Sequence, residues 1–174
     1  MIKSLTLVIF IVLAASLFCT AHVRKVELTH KIVSAKTYLY PDSISADSIL
    51  HFAQSLIGTR YRSRSSSPIF GFDCSGFVSY VFKKFNFNVP RSSRDFIDVG
   101  KKIKLEDARP GDIILFTGTK KYTHKIGHVG IVYCTGSDEF KFIHSTSGKE
   151  HGVTITSMDK TYKRRFVQVI RLLI

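Results

Sequence analysis

The apolar residues of this chain change their period near residue 100, and that change limits the fold more than any other feature of the sequence. Before it the spacing is helical: Ile49, Phe52, Ala53, Leu56 and Ile57 fall on one face, with Ser45 placed to cap the start and Gly58 placed to end it. After a Ser-rich loop at 63–68, Asp73 precedes Cys74, and Phe77, Val78, Val81, Phe82 and Phe85 form a second amphipathic stripe behind an acidic N-cap. A shorter helical segment follows Pro90, with Phe96 and Ile97 apolar and Gly100 as its stop. Beyond it, Arg109-Pro110-Gly111-Asp112 has the chemistry of a tight turn, and 113–116, 127–134, 139–144, 152–156 and 166–172 read as strands. Thr135-Gly136-Ser137-Asp138 separates two of them as a hairpin turn does. Helices first and strands afterwards predict an α+β fold, with N-terminal helices packed on a C-terminal antiparallel β-sheet.

The N-terminus has a different character. Lys3 precedes the apolar run Leu5 to Phe18, which is short of the roughly 20 residues that span a bilayer as a helix, and a small residue, Ala21, follows. Residues 1–21 are therefore expected to be an export signal; Phe18 before Cys19 argues against a lipidated cysteine. Residues 22–44 lack a clear period and are expected to be an arm or linker, which leaves 45–174 as the folded domain. With 44% hydrophobic residues this is enough chain for one packed core. Only Cys74 and Cys134 remain beyond the signal, too few for a disulfide-stapled miniprotein. The net charge of +13 suits an anionic cell envelope, through clusters at Lys101-Lys102, Lys120-Lys121 and Lys163-Arg164-Arg165. These clusters sit on no nucleic-acid-binding motif, and none is expected to bind nucleic acid.

One cysteine stands where a nucleophile is expected. Cys74 lies in the first turn of a helix, where unpaired N–H groups and the helix dipole favour a thiolate, so position alone predicts a thiol titrating below the usual value of about 8.5. Position alone also fits a small buried hydrophobe. His128, in Gly127-His128-Val129-Gly130-Ile131, is a candidate base, with Gly130 leaving room on the same strand face. His144 ends the next strand, and the hairpin sets the two histidines side by side, His144 holding the second ring nitrogen of His128. His22, His30, His51, His124 and His151 are assigned to the surface, and Cys134 to the core of an apolar strand.

Together these segments carry a resemblance. Tyr61, Ser67-Pro68, Gly71-Phe72-Asp73-Cys74-Ser75-Gly76-Phe77, Val89-Pro90-Arg91-Ser92-Ser93-Arg94-Asp95, Pro110-Gly111-Asp112, Gly127-His128-Val129-Gly130-Ile131 and Phe142-Ile143-His144 resemble, in order and spacing, the NlpC family of bacterial cell-wall cysteine peptidases. The resemblance covers Ser45 to the C-terminus. It implies a papain-like fold and hydrolysis of peptidoglycan stem peptides, commonly between γ-linked D-glutamate and a diamino acid. It further implies Cys74 as nucleophile, His128 as base and His144 as the orienting residue, with Tyr61, Asp73 and Ser75 supporting the substrate or the oxyanion. No metal or organic cofactor is implied, and a monomer is expected.

Two departures stand out. Arg64 and Ser65 occupy the places of a usual glycine pair, and one extra residue lies between Pro68 and Asp73. They are expected to alter substrate preference rather than chemistry. Other readings stay open at this level: an amidase or acyltransferase with the same thiol chemistry, a cell-wall binding protein, a dispersed metal site using His124, His128, His144 and Cys74, and a silencing Cys74–Cys134 disulfide.

Overall fold

The computed structural model describes residues 44–119, 124–136 and 139–173. The expected export signal, nearly all of the arm and the Lys120-Lys121 pair lie outside them. Helix α1 (Ala46–Gln54) starts where Ser45 Oγ accepts the Ser48 N–H, and the chain leaves it through turns that end at Gly58, whose φ is +83°. A short hairpin of β1 (Ser66–Ser67) and β2 (Gly71–Phe72), which the periodicity did not predict, leads into α2 (Cys74–Lys84). Strands β3 (Lys101–Ile103), β4 (Ile113–Thr117), β5 (Ile126–Thr135), β6 (Phe140–Ser145), β7 (Val153–Ser157) and β8 (Phe166–Arg171) form one antiparallel sheet in the order β3-β8-β4-β5-β6-β7. The segment after Pro90 is a 3-10 turn, Asp95–Asp98. One six-residue helix, α3 (Lys160–Arg165), was not expected; Asp159 caps it, and Tyr162 is its one large apolar side chain, so no amphipathic period announces it.

Alternation along β4 places apolar groups on both faces of the sheet. Ile113 and Leu115 join Ile131 and Ile143 beneath α1 and α2, whose Ile49, Ala53, Phe77, Val78, Val81 and Phe82 are fully buried there. Ile114 and Phe116 face the other way, with Val132, Phe142, Met158 and Val169. Burying each of the larger side chains stabilises by roughly 1.5–3 kcal/mol, and the helices lie on the sheet because both present their apolar stripes to it.

The expected turn at Pro110-Gly111-Asp112 is fixed by an ion pair. Arg171 Nε donates to Asp112 Oδ1 at 2.8 Å and its Nη2 to Oδ2 at 2.7 Å, and Oδ2 also accepts the Arg109 N–H at 2.8 Å. Asp112 is 3% exposed, so its carboxylate depends on these donors. The pair ties the entry of β4 to the end of β8. Asp112→Ala is expected to cost about 3 kcal/mol in urea unfolding, because it leaves Arg171 without its partner. Arg171→Ala should cost as much by orphaning the carboxylate, and the double variant clearly less than the two combined. Independent, additive losses would contradict this coupling.

Candidate active site

Contacts to the backbone on either side of Cys74 set the frame of the site. Tyr61 bridges to Phe72, the Phe72 carbonyl accepts Ser145 Oγ at 2.7 Å, and the Asp73 N–H donates to the Ser65 carbonyl at 3.0 Å. The end of β6 and the loop at 62–65 are thereby tied to the residues just before Cys74. Gly76 is required in the first turn of α2, because a Cβ there would stand 2.1 Å from the Ser65 carbonyl oxygen.

Asp73 does more than cap. Its Oδ1 accepts the Gly76 N–H at 2.7 Å, the Ser75 hydroxyl at 3.2 Å and Arg91 Nη1 at 2.9 Å, while Oδ2 takes Arg91 Nη2 at 2.7 Å. Arg91 thus holds Asp73 in a bidentate grip, and the Ser79 hydroxyl binds the Pro90 carbonyl to keep the Arg91 segment against α2. Ser75 is buried and also receives Arg91 Nη1.

Cys74 lines a cleft of about 360 Å³ that it shares with Tyr61, His128, Thr146, Tyr162 and Arg165. The N–H groups of Val129, Ser75 and Cys74 itself point at the sulfur and favour a thiolate. Burial outweighs them, and with the nearby Asp73 carboxylate it pushes the thiol above the usual cysteine range. This corrects the low value expected from helix position: tertiary desolvation overrides the helix terminus. Burial likewise raises the phenol of Tyr61, with Cys74 and Asp73 adding to the shift.

The two histidines meet as a pair. His128 Nε2 lies 2.8 Å from His144 Nδ1, the rings are nearly perpendicular at 85°, and His144 Nε2 lies 2.9 Å from Thr156 Oγ1 on β7. His144 is opposite Thr154 across β6–β7, and Ile131 is opposite Ile143 across β5–β6. That register sets His144 beside Gly130, so the histidines meet diagonally rather than directly across the ladder. Gly130 eases the approach, since a Cβ would sit tightly, 3.2 Å from the His144 Cβ and 3.0 Å from the Ile143 carbonyl.

Two proton arrangements satisfy this chain. Either His128 Nε2–H donates to His144 and His144 Nε2–H to Thr156, or every bond runs in reverse. Only the first leaves His128 Nδ1 as a free base. Burial, then His144, then Arg165 hold His128 well below 6.5, and burial with Arg165 lowers His144 to about 3. Both rings are therefore uncharged at neutral pH, as is the thiol.

Of the residues singled out in the sequence, Cys74, His128 and Tyr61 share the cleft, His144 stands behind His128, and Asp73 and Ser75 line an adjoining groove with Arg64 and Arg91. His151 is exposed, but its ring packs against Tyr61 at 5.8 Å. Cys134 departs from its expected place: at a register shift in β5 it is half-buried, free, and lines a separate cleft with His51. Cys74 is free as well. Among the described residues no three His, Cys, Asp or Glu side chains gather as metal ligands would. Thr156, Ser145, Tyr162 and Arg165 were missed, since each acquires its role only through sheet pairing or through α3.

The thiol's environment sets a pH dependence. With its pKa raised, the thiolate fraction is small at neutral pH and grows about tenfold per pH unit until the pKa is reached. Alkylation of Cys74 by iodoacetamide, followed by mass spectrometry, should therefore climb from pH 6 to pH 9 without levelling. A plateau between pH 6 and pH 8 would show a preformed thiolate instead.

The comparisons agree with this architecture. The sequence matches the NlpC/P60 family over residues 58–171. It is 33% identical over 134 residues to a gamma-DL-glutamyl hydrolase of Bacillus subtilis (strain 168), covering 74% of this chain and 30% of that protein. It is 35% identical over 118 residues to the murein DD-endopeptidase MepS/murein LD-carboxypeptidase of Escherichia coli (strain K12), covering 67% of this chain and 57% of that protein. The chain thus spans between about a third and somewhat over half of the length of these relatives. The crystal structure of an NlpC/P60 family protein from Bacillus cereus ATCC 10987 superposes with a TM-score of 0.67 at 26% identity, over 78% of this chain and 42% of that one. With helices packed on an antiparallel sheet in the expected papain-like manner and a family match across most of its length, the chain belongs to the NlpC/P60 family.

Proposed function

We propose that this chain is an exported cysteine endopeptidase that cuts peptidoglycan stem peptides at the bond between γ-linked D-glutamate and a diamino acid. The observation that carries the reading is the 2.8 Å contact of His128 Nε2 with His144 Nδ1 behind a cleft that holds Cys74. The similarity to the gamma-DL-glutamyl hydrolase of Bacillus subtilis supports a γ-glutamyl bond. The name of the Escherichia coli relative specifies other bonds in murein, so the products must be identified directly.

In this reading the proton chain runs from His128 to His144 to Thr156, and His128 Nδ1 takes the Cys74 proton as Sγ attacks the amide carbonyl. A neutral pair suits this, because charge separation is deferred until the transition state, where it can be stabilised. The N–H groups of Cys74 and Ser75 at the start of α2 receive the oxyanion. The imidazolium then protonates the leaving amine, and water, deprotonated by His128, clears the thioester and returns the thiol. Tyr61 shapes the wall beside the sulfur, and Asp73 with Ser75 supports the groove next to it. No cofactor enters the scheme. Residues 1–21 direct export, 22–44 serve as an arm, and the basic surface holds the monomer near an anionic envelope.

Mass spectrometry of fragments released from purified peptidoglycan tests the reaction. The chain should release fragments cut between D-glutamate and the diamino acid, and Cys74→Ala should release none. Equal release by both would remove Cys74 from the mechanism; release by neither would favour an acyltransferase, an amidase on another substrate or a binding protein.

Arg64 supports an altered groove. It adopts φ +57°, a left-handed conformation that costs a non-glycine residue roughly 1 kcal/mol, and Ser65 beside it is held by its hydroxyl on the Gly71 carbonyl at 2.6 Å. Arg64→Gly combined with Ser65→Gly should shift the profile of cleaved stem peptides while leaving Cys74-dependent cleavage intact. An unchanged profile would contradict a role in preference.

A further inference from the structure

The basic run Lys163-Arg164-Arg165 reads in sequence as one surface cluster, but α3 divides it. Lys163 and Arg164 are exposed, whereas Arg165 is half-buried and turns into the cleft of Cys74 and His128. Its Nε and Nη2 both donate to the Thr117 carbonyl, at 3.0 and 2.7 Å, and its guanidinium lies over the Tyr162 ring at 5.4 Å. These contacts, with a further hydrogen bond to Tyr162, fix the side chain in one orientation while its guanidinium still lines the cleft.

Among the described residues no carboxylate lies within ion-pairing distance of Arg165. The cleft's hydroxyl side chains, on Tyr61, Thr119, Thr146, Ser147 and Tyr162, carry no charge, and the histidine pair is uncharged at neutral pH. A half-buried, immobilised guanidinium in an otherwise neutral cleft favours a ligand that brings its own negative charge.

We propose that Arg165 anchors a free carboxylate of the substrate peptide beside the scissile bond. The class of ligand rests on the peptidase reading: a glutamate linked through its γ-carboxyl keeps its α-carboxylate free next to the bond, and a diamino acid that is dicarboxylic, or that ends the peptide, carries another. Arg165 acts here as a positioning and specificity residue, selecting peptides in which that carboxylate is present rather than amidated.

The test measures binding apart from turnover. Calorimetric titration of the full chain bearing Cys74→Ala uses three synthetic tripeptides of the form L-alanyl-γ-D-glutamyl-diamino acid: the free acid, the amide at the glutamate α-carboxyl, and the amide at the diamino acid carboxyl. One amide should bind at least about tenfold more weakly than the free acid, and its identity names the carboxylate. Arg165→Gln in the same background should abolish that difference, and Arg165→Lys should restore part of it. A purely structural role would weaken all three peptides equally. Equal affinities in the Arg165 protein, or no binding of any peptide, would overturn the proposal without recourse to a variant that might fold poorly. An acid preference in the absence of any turnover by the Cys74 protein would uphold the anchor while contradicting the peptidase reading.

Discussion

The site depends on the packing of α2 across the face of β5 and β6. Phe77, Val78 and Val81 share one buried cluster with Val129, Ile131 and Ile143, and this fixes the height and direction at which the helix begins. Cys74 is the first residue of that helix, and the Val129 N–H that points at its sulfur belongs to the strand that carries His128. A shift of the helix would therefore separate the thiol from its base. Asp73 resists such a shift, because one carboxylate closes the first turn and is gripped by Arg91 from the segment beyond the helix.

The electrostatics follow from the same packing. Packing the start of α2 against the sheet takes water from Cys74, and the sheet buries His144 fully and His128 in part, so each group is driven to its uncharged form. A carboxylate behind His128 would favour imidazolium; His144, a neutral ring bonded in turn to Thr156, does not. The base is oriented without being charged in advance. Among the described residues this leaves Arg165 as the charged side chain of the cleft, on which the proposed preference for anionic ligands rests.

Much of this was legible in the sequence, for identifiable reasons. The stripes of α1 and α2 and the alternation of the later strands are local patterns dictated by burial on one known side, and Asp73 and Gly58 are terminal signals that need no tertiary context. Cys74, His128 and His144 were found because one sits at a predicted helix start and the others on strands joined by a short turn. Thr156 was not legible, since its contact with His144 requires the β6–β7 register. Arg165 was read as surface charge because α3 is too short to show a period and its last residue reaches the cleft only by wrapping onto the end of β4. The direction of the thiol's shift was misread for a related reason: the dipole of a helix is a local property, but burial of its first turn is not.

Catalysis by His128 depends on the direction of the protons in the chain from His128 to Thr156. Nitrogen-15 NMR of histidine-labelled protein between pH 5 and pH 8 reads it directly, with His128→Gln and His144→Gln used to assign the resonances. Both rings are expected to stay neutral throughout, each protonated on Nε2, with His128 Nδ1 bare. A His128 ring protonated on Nδ1, or one that gains charge near pH 6.5, would contradict this arrangement.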